Sequence, residues 1–421
     1  MSENQRLKQA VIEAIDQHAD ELIALCAKLI QTPSENPPGD STEITEFVKG
    51  YLVENGLAVD IHEAHSNMYN IISSYGNETG KKLIYCGHTD VVPVGDLEKW
   101  DFPPLLGEVR DGYLLGRGAS DMKAGLGGLI FSVIMMKRLG IELTGQVTLA
   151  IVPDEETGGR YGVPWILENG LIEGDGCLIA EPSSTYNPTI GQKGSFAFEL
   201  EVFGEPGHGS LSPLIGGNAI TDAIKAIDRI ETVTEIEVEL PEETQELIEI
   251  SKKYMREVET DKAPFQDALD HISCNIGMIQ GGTAGNVVPE SCKVNIDCRL
   301  PFGVSQDALT DYIHQELDAL GIEYTFKRTG FESEANYTLA DDPVCAAVVN
   351  NLSEISGHEA YGVMQWASSD ARHFRAYDIP VLQYGPADLN TIHGYNERAK
   401  VDEIILAAKV YAATIIDFLN D

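Results

Sequence analysis

The chain has 421 residues, of which 43% are hydrophobic and 23% charged, which is typical of a folded protein large enough for two domains or one domain with an insertion. Its formal net charge of −38 argues against binding nucleic acid or an anionic membrane surface, and no apolar run is long enough to predict a membrane span. The seven cysteines form no CxxC pair and are odd in number, which favours reduced thiols in a reducing compartment.

The N-terminal stretch predicts a helix rather than a secretion signal. Residues 1–31 place apolar residues at helical spacing between charged ones, and no basic region precedes an apolar one. A cytoplasmic protein is therefore expected.

Three apolar runs in the first half of the chain predict buried strands that end in polar groups. They are 82–92 (KLIYCGHTDVV), 146–153 (QVTLAIVP) and 176–180 (GCLIA). The small and large apolar residues of 124–139 predict a buried helix among them. This alternation indicates an α/β sheet, with chemistry expected at the carboxyl ends of its strands.

The pattern changes after residue 190, where alternation of period two at 195–203 predicts a sheet with one solvated face. The following segments predict a smaller α+β unit. An alternation of predicted strands and helices resumes before the C-terminus. The fold class expected is therefore α/β, with a split catalytic domain of 1–190 and 331–421 and an inserted α+β domain of 191–330. Predicted helices lie at 218–230, 305–319, 343–356 and 401–419, and predicted strands at 272–279, 291–300, 322–328 and 381–384.

A histidine and an aspartate lie near the end of the first predicted strand. Residues two apart in an extended segment point the same way, so Asp90 can hydrogen-bond the ring of His88 and fix its tautomer, as carboxylates do for metal-binding histidines. For this pair alone, an exposed turn with a structural histidine is the alternative.

Further carboxylates follow other strands and glycine-rich turns. Asp121 comes after the glycines of GRGASDM, and its two oxygens could bridge two cations, with helix capping as the alternative. Glu155 and Glu156 are adjacent and ionise together only with a cation or solvent nearby, so one could be a ligand and its neighbour a base. Together with Glu181 and His393, these residues suit Zn²⁺ or a similar cation.

Nine motifs in this order resemble the zinc-dependent peptidase and deacylase family M20, in the branch of succinyl-diaminopimelate desuccinylase and acetylornithine deacetylase. The resemblance covers most of the chain. The motifs are GHTDVVPVGD (87–96), GRGASDMKAG (116–125), PDEETGG (153–159), AEPS (180–183), GHGS (207–210), GGTAGNVVPE (281–290), DCR (297–299), SSDAR (368–372) and HGYNE (393–397).

The resemblance implies a metallo-exopeptidase-like catalytic domain, and an inserted domain that acts as a lid and dimerises. It also implies two divalent metal ions, with zinc favoured and cobalt or manganese as alternatives. The residues implied are Asp121 as the bridge, His88 and Glu181 on one ion, Glu156 and His393 on the other, and Glu155 as the general acid/base, with Asp90 supporting catalysis through His88.

Residues of the inserted domain are implied to contact the substrate. His208 matches a histidine that stabilises the oxyanion, from the same or the partner subunit, and a flexible turn is the alternative. Arg299 and Asn286 match positions that hold the substrate's α-carboxylate; a structural ion pair and a turn are their alternatives. Ser368, Asp370 and Arg372 are further guesses for the pocket lining, whereas Cys86, inside an apolar strand, is expected to be an inert thiol.

The implied activity is hydrolysis of the amide bond of a small N-acyl amino acid, most similar to that of succinyl-diaminopimelate desuccinylase. An acetylornithine deacetylase or a di- or tripeptidase of the same family is the alternative. A non-catalytic binding homologue is a remote alternative, whose mark would be a broken metal set. The partners expected are a small carboxylate-bearing substrate and a second copy of the chain, bound through the lid.

Overall fold

The computed structural model describes residues 2–214 and 216–420, with Phe331 described by its backbone alone. The chain divides into two compact units. The first unit comprises 1–190, 338–362 and 369–421, and the second comprises 191–337 and 363–368.

The second unit extends further than the predicted insertion, which ends at residue 330. It continues to Tyr337 and takes in Val363–Ser368. The amide of Met364 donates to Ser251 Oγ at 2.8 Å, so this short segment pairs with a helix of the second unit. No sequence pattern indicates that this short segment belongs to the second unit.

The described residues form eleven α-helices and sixteen strands. The helices are α1 (Glu3–Gln17), α2 (Ala19–Gln31), α3 (Thr42–Glu54), α4 (Lys123–Arg138), α5 (Val163–Glu168), α6 (Ala219–Ile230), α7 (Glu242–Glu257), α8 (Gln306–Asp318), α9 (Pro343–Ser356), α10 (Ala371–Ala376) and α11 (Val401–Leu419). The strands are β1 (Asp60–His65), β2 (Met68–Gly76), β3 (Lys82–His88), β4 (Glu108–Arg110), β5 (Tyr113–Leu115), β6 (Gln146–Val152), β7 (Gly176–Ile179), β8 (Thr189–Gln192), β9 (Gly194–Phe203), β10 (Ser273–Gly281), β11 (Ser291–Leu300), β12 (Tyr324–Ser333), β13 (Asn336–Tyr337), β14 (Val363–Gln365), β15 (Val381–Gln383) and β16 (Arg398–Lys400).

The main sheet of the first unit follows the order β1-β2-β6-β3-β7-β15-β8. Its four central strands, β6, β3, β7 and β15, are parallel, whereas β1, β2 and β8 pair antiparallel. Helices cover the parallel strands, which explains why the strands are apolar throughout. The carboxyl ends of all four meet at one edge of the sheet.

Helix α4 is buried along nearly its whole length, as its apolar sequence predicts. It packs against α2 and α11 and against strand β3. Gly125 lies so close to the carbonyl oxygen of Ala180 that a side chain would collide with it. The close approach of α4 to the residue that follows β7 therefore depends on glycine at this position.

The second unit contains the four-stranded antiparallel sheet β10-β11-β9-β12. Alternate residues of β9 are buried, which confirms the period-two pattern of the sequence. Phe196, Phe198, Leu200 and Val202 point into a core that α6 and α8 cover.

The N-terminal stretch forms two helices where the sequence predicts one. The helix breaks at His18, which ends α1 and precedes α2. The apolar spacing continues across this break, so periodicity alone does not reveal it. No helix in the described ranges combines the length and apolarity that a membrane crossing requires.

Candidate metal centre

The parallel strands bring the predicted site residues of the first unit to one edge of the sheet. His88 is the last residue of β3, the pair Glu155 and Glu156 follows β6, and Glu181 follows β7. Because carboxyl ends of parallel strands meet at the same edge, residues far apart in sequence become neighbours. His88 and Glu181 are buried, and Glu155 and Glu156 are partly buried.

His88 contacts two carboxylates and is held by a third residue. Its Nε2 atom lies 3.2 Å from Asp121 Oδ1 and 3.5 Å from Glu181 Oε1. Its Nδ1 atom lies 2.9 Å from the backbone oxygen of Asp90 and 3.3 Å from Asp90 Oδ1. Oxygens of Asp90 therefore face Nδ1, which favours a proton on that nitrogen. The lone pair of Nε2 could then bind a cation.

His393 faces the other oxygen of the same aspartate. Its Nε2 atom lies 3.3 Å from Asp121 Oδ2 and 3.0 Å from Glu156 Oε2. Asp121 therefore stands between two histidines, with one carboxylate oxygen toward each. The bridging role of Asp121 stays a prediction.

Asp90 also holds the loop that carries the two glutamates. Its carboxylate accepts hydrogen bonds from the backbone amides of Glu155 at 3.1 Å and Glu156 at 3.2 Å, and from Asn36 Nδ2 at 2.9 Å. Asn36 is not among the residues predicted from the sequence. It lies more than fifty residues before Asp90 in a proline-rich segment, and only the folded chain brings it near.

The glutamates of the cluster are difficult to ionise. Burial raises the pKa of Glu155, of Glu156 and of Glu181, and neighbouring carboxylates add to the effect. Hydrogen bonds with Asp121 and Glu156 raise the pKa of His393 to about 10. A bound cation would lower the cost of ionising these carboxylates.

The donor atoms also fit a divalent cation. Two sets of residues each bring three possible ligand atoms within 4.8 Å of one another. Glu156 Oε1 and Glu181 Oε1 are buried without a hydrogen-bond partner. Imidazole and carboxylate together form a usual ligand set for zinc and similar metals. The two sets are His88, Asp121 and Glu156, and His88, Glu155 and Glu181.

In the second unit, His208 and Asn286 lie on neighbouring loops. The amide of Gly209 donates to the backbone oxygen of Asn286 at 2.8 Å, and His208 forms a β-bridge with Val287. Both His208 and Asn286 are exposed. The structure therefore brings these two predicted residues together.

Arg299 lies elsewhere in the second unit. It pairs with Ser195 near one end of β11, whereas Asn286 precedes Ser291 at the other end. Arg299 lies eight positions after Ser291 along the strand, which is roughly 25 Å. Within one chain, Arg299 and Asn286 cannot hold the same carboxylate. Instead, Arg299 Nε donates to Asp297 Oδ2 at 3.0 Å, as in the structural alternative.

The residues of the SSDAR motif fall in different units. Ser368 belongs to the second, whereas Asp370 and Arg372 belong to the first. Arg372 Nη2 donates to the backbone oxygen of Gly158 at 3.2 Å, and a Cβ atom on Gly159 would lie 2.5 Å from Asp370 Oδ1. Asp370 and Arg372 thus contact the loop after Glu156.

Cys86 is buried inside β3, and burial raises the pKa of its thiol well above the usual value. A protonated thiol in the core is a poor nucleophile, in line with the inert role expected from the sequence.

Known proteins resemble this chain over most of its length. The sequence profile described as Peptidase family M20/M25/M40 matches residues 84–417. The protein named succinyl-diaminopimelate desuccinylase of Ehrlichia chaffeensis is 28% identical over 414 residues, covering 94% of this chain and 98% of that relative.

Two solved structures share the fold. A metallo-carboxypeptidase of the M20 family from Sulfolobus solfataricus has a TM-score of 0.80 at 21% identity. The match covers 95% of this chain and 100% of that chain. Human carnosine dipeptidase 1 has a TM-score of 0.80 at 18% identity, covering 99% of both chains. The predicted two-domain α/β class is therefore confirmed.

Proposed function

Because the chain belongs to the peptidase family M20/M25/M40 and is a hydrolase of that family, we propose that it cleaves the amide bond of a small N-acyl amino acid, with N-succinyl-diaminopimelate as the leading candidate. One observation carries the chemical half of the proposal: Asp121 stands between His88 and His393 with one oxygen toward each. The substrate half is supported by the desuccinylase name of a relative that aligns over 94% of the chain.

In this proposal two divalent ions, preferably zinc, are held by this cluster of side chains. When bound, such ions act as Lewis acids that polarise a carbonyl group and make a water molecule more acidic. The chain supplies oxygen and nitrogen donors from five residues. Asp121 would serve both ions, His88 and Glu181 would serve one, and Glu156 and His393 would serve the other.

Glu155 is the proposed general acid/base. Its side chain lies beside His88 and Glu181, while its amide is anchored on Asp90 Oδ1 at 3.1 Å. The structure gives Glu156 a histidine contact, whereas no ion pair with histidine occurs for Glu155 among the described residues. Glu155 would take a proton from the attacking water and return it to the leaving amine, a role for which a positioned carboxylate is suited.

Recognition of the substrate would involve two copies of the chain. His208 and Asn286 lie together near the Ser291 end of β11, whereas Arg299 lies near its other end, roughly 25 Å from Ser291. We therefore assign His208 and Asn286 to one subunit of a homodimer and Arg299 to the other. His208 would stabilise the oxyanion, and Arg299 and Asn286 would bind polar groups of the substrate.

A hydrolysis screen tests the proposal. The metal-free protein is loaded with Zn²⁺, Co²⁺ or Mn²⁺ and assayed on N-succinyl-diaminopimelate, N-acetylornithine, and unblocked di- and tripeptides. The proposal predicts the highest kcat/KM for the N-succinyl substrate. Preference for peptides would move the chain to the peptidase alternative. Substrate binding without turnover under all three metals would instead indicate a non-catalytic homologue.

A further inference from the structure

A buried ion pair lies among the loops that carry the proposed ligands. Arg117 and Glu397 have side chains that are only 2% and 1% exposed, and Arg117 Nη1 donates to Glu397 Oε2 at 2.5 Å. Neither residue belongs to the proposed ligand set. Burying two charges is costly unless further hydrogen bonds offset the lost hydration, so the partners of this pair indicate what it holds.

Glu397 organises the loop that ends in the proposed bridging ligand. Its Oε1 atom accepts hydrogen bonds from the backbone amides of Gly118 at 3.1 Å, Ser120 at 3.0 Å and Asp121 at 3.0 Å. Three amides therefore converge on one carboxylate oxygen. The last of them belongs to Asp121 itself, so Glu397 fixes the backbone from which that side chain projects.

Arg117 extends the same network to the other side of the centre. Its Nη2 atom donates to the backbone oxygen of Gly394 at 2.9 Å, and Gly394 directly follows His393. The amide of Gly116 donates to the backbone oxygen of Glu397 at 2.9 Å, which binds the two loops together again. The planar guanidinium group can make both side-chain contacts because its donors point in fixed, divergent directions.

We propose that Glu397 and Arg117 are positioning residues for the metal centre, which hold Asp121 and His393 at the spacing that one cation requires. The inference rests on the ligand assignment of the proposed function. Asp121 Oδ2 and His393 Nε2 lie 3.3 Å apart, and hydrogen bonds of the ion pair reach the backbone at or beside both residues.

A second ion pair of the first unit provides a matched control. Lys8 Nζ lies 2.9 Å from Asp417 Oδ2 and also contacts Asn351 and Glu354. None of these residues is a proposed ligand. Loss of this pair should therefore affect the stability of the fold without changing the metal centre.

The test compares Arg117→Lys and Glu397→Gln with Lys8→Met. Lysine keeps the charge but loses the planar fork, and glutamine keeps the shape but loses the charge. Binding of Zn²⁺ is measured by competition with a chelator, Co²⁺ binding by its visible absorption, and stability by thermal unfolding of the metal-free proteins. The proposal predicts that both site variants bind one ion about 10- to 100-fold more weakly and change the Co²⁺ spectrum.

Lys8→Met is expected to keep wild-type metal affinity and spectrum. Unchanged affinity and spectrum in Arg117→Lys would overturn the inference, even if Glu397→Gln does not fold. An equal loss of affinity in Lys8→Met would also overturn it, because the pair would then act only through general stability. Wild-type protein that binds two ions but cleaves no N-acyl substrate would refute the proposed function alone, since the positioning role is read from metal binding.

Discussion

Asp90 accepts a hydrogen bond from the backbone amide of Glu156 at 3.2 Å. A carboxylate that follows β3 therefore fixes the loop that follows β6, the neighbouring strand of the sheet. The same side chain accepts the amide of Glu155 through its other oxygen. A single aspartate thus anchors both glutamates to the segment that contains His88. The histidine and the glutamate loop are therefore expected to lose their alignment together when Asp90 is changed.

Asp90→Asn tests this anchoring. Asparagine has nearly the same shape, but its NH₂ group cannot accept an amide hydrogen, which leaves one buried group unsatisfied at about 1–3 kcal/mol. We expect lower stability and a loss of about 10- to 100-fold in metal affinity or activity, as for other residues that orient ligands. Asn36→Ala, which removes one donor to Asp90, should have a smaller effect. Chemical denaturation and metal titration measure both quantities, and wild-type values for Asp90→Asn would refute the anchoring role.

Substitution of His393 should remove one ion, whereas substitution of Asp121 should remove both. The reason is that His393 faces only Oδ2 of Asp121, whereas Asp121 faces both histidines. Metal content is measured by elemental analysis after dialysis of His393→Ala and Asp121→Ala. His358→Ala removes an exposed histidine that stacks on Tyr186, and should retain both ions. Equal metal content in the His393 and Asp121 variants would contradict the bridging arrangement.

Gly125→Ala should disturb the centre from the helix side. The added methyl group would collide with the carbonyl oxygen of Ala180, the residue before Glu181. Overpacking of this kind costs about 1–3 kcal/mol, and the displaced backbone carries a proposed ligand. We expect a lower melting temperature together with weaker metal binding.

Gly50→Ala is the matched control for this helix substitution. Gly50 lies within α3, and no heavy atom would come within 4 Å of the new methyl group. Because alanine favours the helix over glycine, stability should rise by about 0.5–1 kcal/mol. A similar gain in Gly125→Ala would show that the close approach to Ala180 is unimportant.

The positions of the proposed ligands were predictable from the sequence because each follows a recognisable feature. His88, Glu156 and Glu181 come at or after the ends of apolar strands, and parallel strands bring such residues to one edge. The motifs predicted a resemblance to the M20 family. The match of the family's sequence profile to residues 84–417 confirms it. The roles of the individual residues remain proposals.

The supporting contacts were not predictable in the same way. Asn36 donates to the carboxylate of Asp90, and Arg117 and Glu397 contact backbone groups of distant segments. No local pattern encodes such partners. The separation of Arg299 from Asn286 in space follows from the pairing of the strands. The number of residues between them in the sequence does not reveal this separation. Inclusion of Val363–Ser368 in the second unit likewise depends on a tertiary contact with α7.

The division of labour between Glu155 and Glu156 is the central claim, and metal content measured together with turnover tests it most directly. In Glu155→Ala both ions should remain bound while kcat falls about 10²- to 10⁴-fold, because a general base is lost and a ligand is not. In Glu156→Ala the ion shared with His393 should be lost, since these side chains lie 3.0 Å apart. Equal loss of metal in the two variants, or metal loss in Glu155→Ala alone, would contradict the assignment of base and ligand.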